Sequence, residues 1–133
     1  MGTAFGSKTF GNFTELRYFT NVKSLAALAF NGARSGKLVI PEHITGFSSS
    51  CFRFSKCDLL DLPFGIATIP NYSQNITVLI VRAVTPPTLT VYSNFNSATN
   101  IYVPDGSVDA YKTASSWTRF ASKISPLSEY TDQ

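Results

Sequence analysis

The ten residues LVIPEHITGF, at positions 38–47, decide the fold because their pattern occurs twice more in the chain. The related stretches are LRYFTNVKSL at 16–25 and LDLPFGIATI at 60–69, each displaced by 22 residues from its neighbour. Four apolar columns keep this spacing: Leu16/Leu38/Leu60, Tyr18/Ile40/Leu62, Val22/Ile44/Ile66 and Leu25/Phe47/Ile69. A fixed period of about 20–50 residues indicates a repeat architecture, in which each unit buries its apolar edge on the next.

Each copy is typical of a short strand followed by a turn. Leu38 and Ile40 alternate with Val39, as in a strand with one buried face, and a proline then ends the strand. A segment of helix-forming residues follows, such as LAALAFNGA at 25–33. We predict parallel strands of one sheet, stacked in chain order, at 16–18, 38–40, 60–62, about 78–81 and 101–103. The predicted buried residues are Leu38, Ile40, Leu60, Leu62, Phe30 and Phe52.

The last part of the chain is predicted to be a cap. Ser107 is placed to cap a helix with its hydroxyl, and Asp109 to favour the positive end of the helix dipole. An apolar stripe follows at steps of three or four residues: Val108, Tyr111, Ala114, Trp117, Phe120 and Ile124. A helix with this stripe would cover the edge of the last repeat, with Trp117 in the core.

These patterns predict one domain over residues 1–133. It divides into an N-terminal edge segment at 1–15, repeats of about 22 residues at 16–103 and the cap at 104–133. The edge segment holds little apolar covering material, so we expect residues 1–13 to lie along the first repeat or to engage a partner chain. Self-association or an upstream domain would follow from that arrangement.

The sequence resembles the BspA-like leucine-rich repeat family, which is abundant on anaerobic gut and oral bacteria. The repeat LAALAFNGARSGKLVIPEHITGF at 25–47 is similar to the family's repeat, with Ala33 where the family often has Cys. The ending IYVPDGSVDAYKTASSWTRFASKISPL at 101–127 and the loop TPPTL at 85–89 are also similar to the family's. The resemblance implies an α/β repeat fold: a right-handed leucine-rich-repeat solenoid of short parallel strands and short helices with a C-terminal helical cap.

Composition excludes several function classes. Charged residues make up 14% of the chain and its net charge of +3 is scattered, which argues against a nucleic-acid interface. No apolar run approaches the roughly 18 residues of a membrane span, so no membrane insertion is expected. The lone His43 leaves no Ser/His/Asp set and no metal-ligand cluster, so we expect neither catalysis nor a metal nor a cofactor. Cys51 and Cys57 are interpreted as free thiols, with a local disulfide as the alternative.

The remaining function class is binding. We expect a non-catalytic module, extracellular or on the cell surface, that mediates adhesion to a protein or a cell-surface macromolecule. The alternative is a structural or receptor-binding component of a larger assembly, such as a phage tail appendage, located on the virion. The sequence does not name the ligand.

A recognition surface is predicted from the same 22-residue step. Arg17, Val39 and Asp61 are the middle residues of their strands, pointing away from the buried flanks. Arg82 follows the strand at about 78–81, which comes roughly three or four residues earlier than the 22-residue step would place it. Phe64, in the turn, would be an exposed aromatic anchor for this polar strip. The alternative is a solvated strand face without a ligand. Asp61→Arg is expected to leave the melting temperature nearly unchanged, and the opposite side, with Arg53, is expected to carry the helices.

Overall fold

The structure, a computed structural model, describes residues 9–10, 24–25, 34–42, 44, 46–47, 52–69, 73–89 and 95–131. Within them the main element is one open sheet whose paired strands are all parallel. In sheet order its strands are β1 (Thr9–Phe10), β3 (Arg34–Val39), β5 (Arg53–Leu62), β6 (Gln74–Val81), β7 (Asn100–Val103) and β8 (Ile124–Pro126). A smaller parallel sheet pairs β2 (Ser24–Leu25) with β4 (Gly46–Phe47).

The strand register reproduces the sequence period. Leu38 pairs with Leu60 and Leu79 pairs with Ile101, and both pairs are 22 residues apart. Leu60 pairs with Leu79, which is 19 residues away, so the third unit is three residues short. The prediction of parallel strands in chain order is therefore confirmed at all predicted positions except 16–18, which lies outside the described residues.

The strands are longer than predicted. The strand β5 has ten residues and begins at Arg53, which had been assigned to a helix-bearing side. It bends on the way, because its register against β6 shifts between Arg53 and Cys57. At the same level Asn75 adopts a left-handed backbone with φ of 60°, which asparagine tolerates, and its Nδ2 donates to the Phe54 carbonyl at 2.9 Å. Most of the predicted helical segment, 26–33, lies outside the described residues.

The core lies behind one face of the large sheet. Leu38, Ile40, Leu60, Leu62 and Phe52 are each at most 2% exposed, which confirms their predicted burial. Phe30 lies outside the described residues. Cys57 is buried and its Sγ donates to the Leu59 carbonyl at 3.3 Å, whereas Cys51 lies outside the described residues.

The C-terminal segment differs from the single predicted helix. The helix α1 covers only Val108–Thr113, because Ala114 takes an extended backbone and stops it. A 3-10 turn over Thr118–Lys123 follows, and Ile124 begins β8, which pairs with β7 as a sixth strand. The apolar stripe is nonetheless buried, since Tyr111, Trp117, Phe120 and Ile124 are at most 4% exposed. The segment therefore covers the sheet edge partly by adding a strand to it.

Candidate binding surface

A proline turn after β5 presents Phe64 to solvent. Pro63 ends the strand, and the Ile66 N–H donates to the Pro63 carbonyl at 3.3 Å. The flanking Leu62 and Ile66 are buried, while Phe64 is 61% exposed. The turn is thus anchored on both sides in the core, and its aromatic side chain is on the outside.

The same turn occurs after β3 and after β7. The Ile44 N–H donates to the Pro41 carbonyl at 3.1 Å, and the Ser107 N–H donates to the Pro104 carbonyl at 2.8 Å. Glu42, one residue after Pro41, is exposed like Phe64 one residue after Pro63. The exposure of Phe64 is therefore set by its position in the repeat, and the choice of phenylalanine there needs a reason other than packing.

The next layer contributes a loop that is held by three side chains of the C-terminal segment. Ser107 Oγ donates to the Val84 carbonyl at 2.7 Å and Tyr111 Oη to the Ala83 carbonyl at 2.5 Å. Trp117 Nε1 donates to the Pro87 carbonyl at 2.8 Å. These bonds fix the backbone from the core side, while the Val84 side chain is 70% exposed. Ser107 was predicted to cap a helix, but its hydroxyl makes no cap bond and serves this loop.

Phe64 and Val84 border a common depression of about 580 Å³. We call the side chains on which it is built the Phe64 patch: Phe64, Ile66, Val84, Thr85 and Pro86. The prolines and the hydrogen bonds to the C-terminal segment restrict the backbone of the patch. Binding a partner would therefore cost little conformational entropy.

Arg82 and Asp61 form an ion pair and are close in sequence to the patch, two residues before Val84 and three before Phe64. Arg82 donates through Nε and Nη2 to the two carboxylate oxygens of Asp61, both at 2.8 Å. The hydrogen bonds to Asp61 raise the pKa of Arg82 above its ordinary value, and the charges of Asp61 and Glu42 act in the same direction against the effect of burial. This two-bond geometry fixes the plane of the guanidinium group at the protein surface.

The predicted polar strip is only partly present. Val39 is 43% exposed, as expected, but Asp61 is only 7% exposed and its carboxylate accepts hydrogen bonds from Arg82. The next residue in the cross-strand register is Ile80, which is 1% exposed. The strip is therefore interrupted at its centre, because Asp61 forms a structural pair. Arg17 lies outside the described residues, whereas Phe64 and Arg82 are exposed as predicted.

Sequence reasoning missed the anchoring of the loop at 83–87. The available signal was that Tyr111 and Trp117, on the stripe that had been assigned to packing alone, each carry a side-chain donor, as does Ser107, which had been assigned to capping. Burial also raises the pKa of the Tyr111 hydroxyl above its ordinary value, which keeps that donor protonated.

Removing the Tyr111 hydroxyl tests this anchoring. We expect Tyr111→Phe to lower the free energy of unfolding by about 1–3 kcal/mol, because the buried Ala83 carbonyl loses its side-chain donor. Urea denaturation followed by circular dichroism measures the change. The matched variant Tyr102→Phe, on a half-buried ring, should change the stability by less than about 0.5 kcal/mol. Equal losses in the two variants would show that the Tyr111 hydrogen bond is unimportant.

The described surface includes two exposed apolar side chains, Phe64 and Val84, and a guanidinium group held by two hydrogen bonds. In the part of the chain that the structure describes, no three His, Cys, Asp or Glu side chains are grouped so that they could hold a metal ion. Among the same residues, no helix has the length and apolar character needed to cross a membrane. Comparison with models of known protein families and with curated proteins gave no match.

Proposed function

We propose that this protein is a non-catalytic binding module that recognises a protein or another cell-surface macromolecule through the Phe64 patch. The observation that carries the proposal is the pair of apolar side chains, Phe64 and Val84, exposed by 61% and 70% on backbone that the core holds in place. Aromatic and apolar side chains presented on backbone that the core holds in place are typical of the residues that dominate the energetics of an interface.

We further propose that the chain is a leucine-rich-repeat solenoid of the BspA-like type. Support comes from the 22-residue register of two strand pairs in the large sheet and of the β2–β4 pair, where Leu25 pairs with Phe47. An isolated parallel bridge between Thr68 and Thr88 adds a contact between the next two layers on that side. A stack of this kind presents equivalent turns side by side, which makes an extended surface from single exposed residues.

In this proposal the protein acts outside the cell or at its surface, as an adhesion module. Two target classes follow from the resemblance and its alternative: host extracellular-matrix proteins for a bacterial surface protein, and the bacterial envelope for a component of a phage tail. In both cases the partner is a large macromolecule or surface, and we propose that the Phe64 patch contacts it.

The Phe64 patch is tested by truncating its two exposed side chains. We expect the double variant Phe64→Ala/Val84→Ser to weaken binding at least about tenfold, since dominant interface residues contribute about 2 kcal/mol or more. The free energy of unfolding should change little, because both side chains are exposed. Surface plasmon resonance with immobilised matrix proteins and flow cytometry with intact gut bacteria measure the two target classes.

The matched control is Val39→Ala, an apolar truncation at a 43% exposed position on the sheet face. It should leave binding unchanged. An equal loss in Val39→Ala would place recognition on the strand face instead of the turns, and binding to neither target class would overturn the proposed function.

A further inference from the structure

A second recessed surface lies on the solvent face of the large sheet, away from the Phe64 patch. The cross-strand register aligns Lys37 with Leu59, Leu59 with Val78 and Val78 with Asn100. These residues line a groove of about 470 Å³, which is within the range of roughly 300–1,000 Å³ common for ligand sites. We call this the sheet groove.

The sheet groove combines apolar and polar lining. Leu59 and Val78 supply apolar side chains, and Thr99 and Asn100 bring a hydroxyl and an amide that both donate and accept hydrogen bonds. Asp58 and Lys37 contribute one charge of each sign, so the described lining has no net charge.

Two tyrosines complete one end of the sheet groove. Tyr102 comes from β7 and Tyr130 from the segment after the last 3-10 turn, and both line the groove. Their ring centroids are 5.3 Å apart with planes inclined by 64°, an edge-to-face pair in which each ring restrains the other. Each ring is half-buried, so part of its amphipathic surface is accessible.

We propose that the sheet groove binds a neutral oligosaccharide. A sugar ring has an apolar face for the partly exposed Tyr102 and Val78, and hydroxyls that match the donors and acceptors of Thr99, Asn100 and both phenols. The cancelling charges of Lys37 and Asp58 favour a neutral ligand over an ionic one. This site shares no residue with the Phe64 patch and goes beyond the proposed function.

A peptide is the less suitable occupant. The strands β5, β6 and β7 each pair on both sides, so their backbone groups are engaged in the sheet. A peptide lying across them could not add a strand and would need side-chain partners for its own N–H and C=O groups. Sugar hydroxyls can be satisfied by side-chain donors and acceptors alone, and Thr99 and Asn100 supply these in the groove.

The experiment is an NMR titration of the full chain, labelled with ¹⁵N, with cellotetraose, maltotetraose and chitotriose as neutral probes. Tetragalacturonate serves as the anionic probe and a tetra-alanine peptide as the peptide probe. We expect at least one neutral probe to shift the amide signals of residues 99–102 in a saturable way. Shifts caused only by the anionic probe or the peptide would overturn the proposal. The absence of any shift at a probe concentration of about 10 mM, high enough to detect weak binding, would also overturn it.

Variants connect the shifts to the side chains. Tyr102→Ala and Asn100→Ala should each raise the dissociation constant about tenfold or more, the change that corresponds to losing about 1.4 kcal/mol of binding. Tyr102→Phe retains the ring and should lose less than Tyr102→Ala; Asn100→Ala keeps the proposal testable if Tyr102→Ala fails to fold. The control Val84→Ser, in the Phe64 patch, should bind the sugar unchanged. An unaltered dissociation constant in both Ala variants would overturn the proposal.

Discussion

Trp117→Ala is expected to lower the free energy of unfolding by about 3–5 kcal/mol, the range for removing a large aromatic side chain from a core. The indole is fully buried. Its ring centroid lies 6.1 Å from that of Phe95, with nearly parallel planes, and 5.3 Å from that of Tyr111, in an edge-to-face arrangement. It also supplies the donor for the Pro87 carbonyl. The variant therefore leaves a cavity and an unsatisfied carbonyl at the same place.

Urea denaturation followed by circular dichroism is the appropriate measurement, because Trp117 is the only tryptophan and its fluorescence is lost with it. Trp117→Phe separates the two effects: the ring is largely kept while the donor is removed, so we expect a smaller loss of about 1–3 kcal/mol. A loss below about 1 kcal/mol for Trp117→Ala would show that the C-terminal segment is not part of the cooperative core.

The sheet could be predicted because its information is periodic. A residue such as Leu38, Leu60 or Ile101 that faces the core must be apolar in every strand of the sheet, so the same residue type returns from strand to strand and reveals the register. The proline that ends each strand is equally local, since it removes a ladder donor in any context. The 19-residue step from Leu60 to Leu79 was visible for the same reason.

The C-terminal segment could not be predicted in the same way. Residues three or four apart along 108–124 fit one apolar helix face, but Ala114 leaves the helix and Ile124 joins the sheet. Pairing with β7 gives Ile124 the same burial as a helix would, together with ladder hydrogen bonds at an otherwise open strand edge. The spacing of apolar residues predicts which side chains are buried. It does not predict whether a segment continues as a helix or pairs with a free sheet edge, because that choice depends on tertiary contacts.

The error at Asp61 has a related cause. Alternation along β5 places Asp61 on the face opposite Leu60 and Leu62, and an aspartate on that face is normally solvated. Its partner Arg82 is 21 residues away on the following layer, and their contact depends on a unit that is three residues short. The presence of an aspartate or an arginine in the sequence does not by itself show whether its charge is solvated or paired with another side chain.

Removing the positive member of this pair should have the second large effect. Arg82→Met leaves the Asp61 carboxylate, whose side chain is 10% exposed, without the two hydrogen bonds that stabilise it. We expect the free energy of unfolding to fall by about 2–4 kcal/mol. Breaking a fully buried ion pair costs up to about 5 kcal/mol, but 47% of the Arg82 side chain is exposed, so the full cost does not apply here. Asp61→Arg should also be destabilising, since it would bring two guanidinium groups together, and we therefore expect its melting temperature to fall instead of staying nearly unchanged.

A double-mutant cycle isolates the pair itself. Asp61→Asn, Arg82→Met and the double variant, compared by urea denaturation, should give a coupling energy above about 1 kcal/mol that 0.5 M NaCl reduces only partly, because a carboxylate this buried is weakly screened. The matched control is Lys56 and Asp58 on the same strand, whose charged atoms are 3.9 Å apart with about 60% of each side chain exposed. That pair should couple by about 0–1 kcal/mol and lose the coupling in salt. Equal coupling in the two pairs would mean that Arg82 is held at the surface by something other than Asp61.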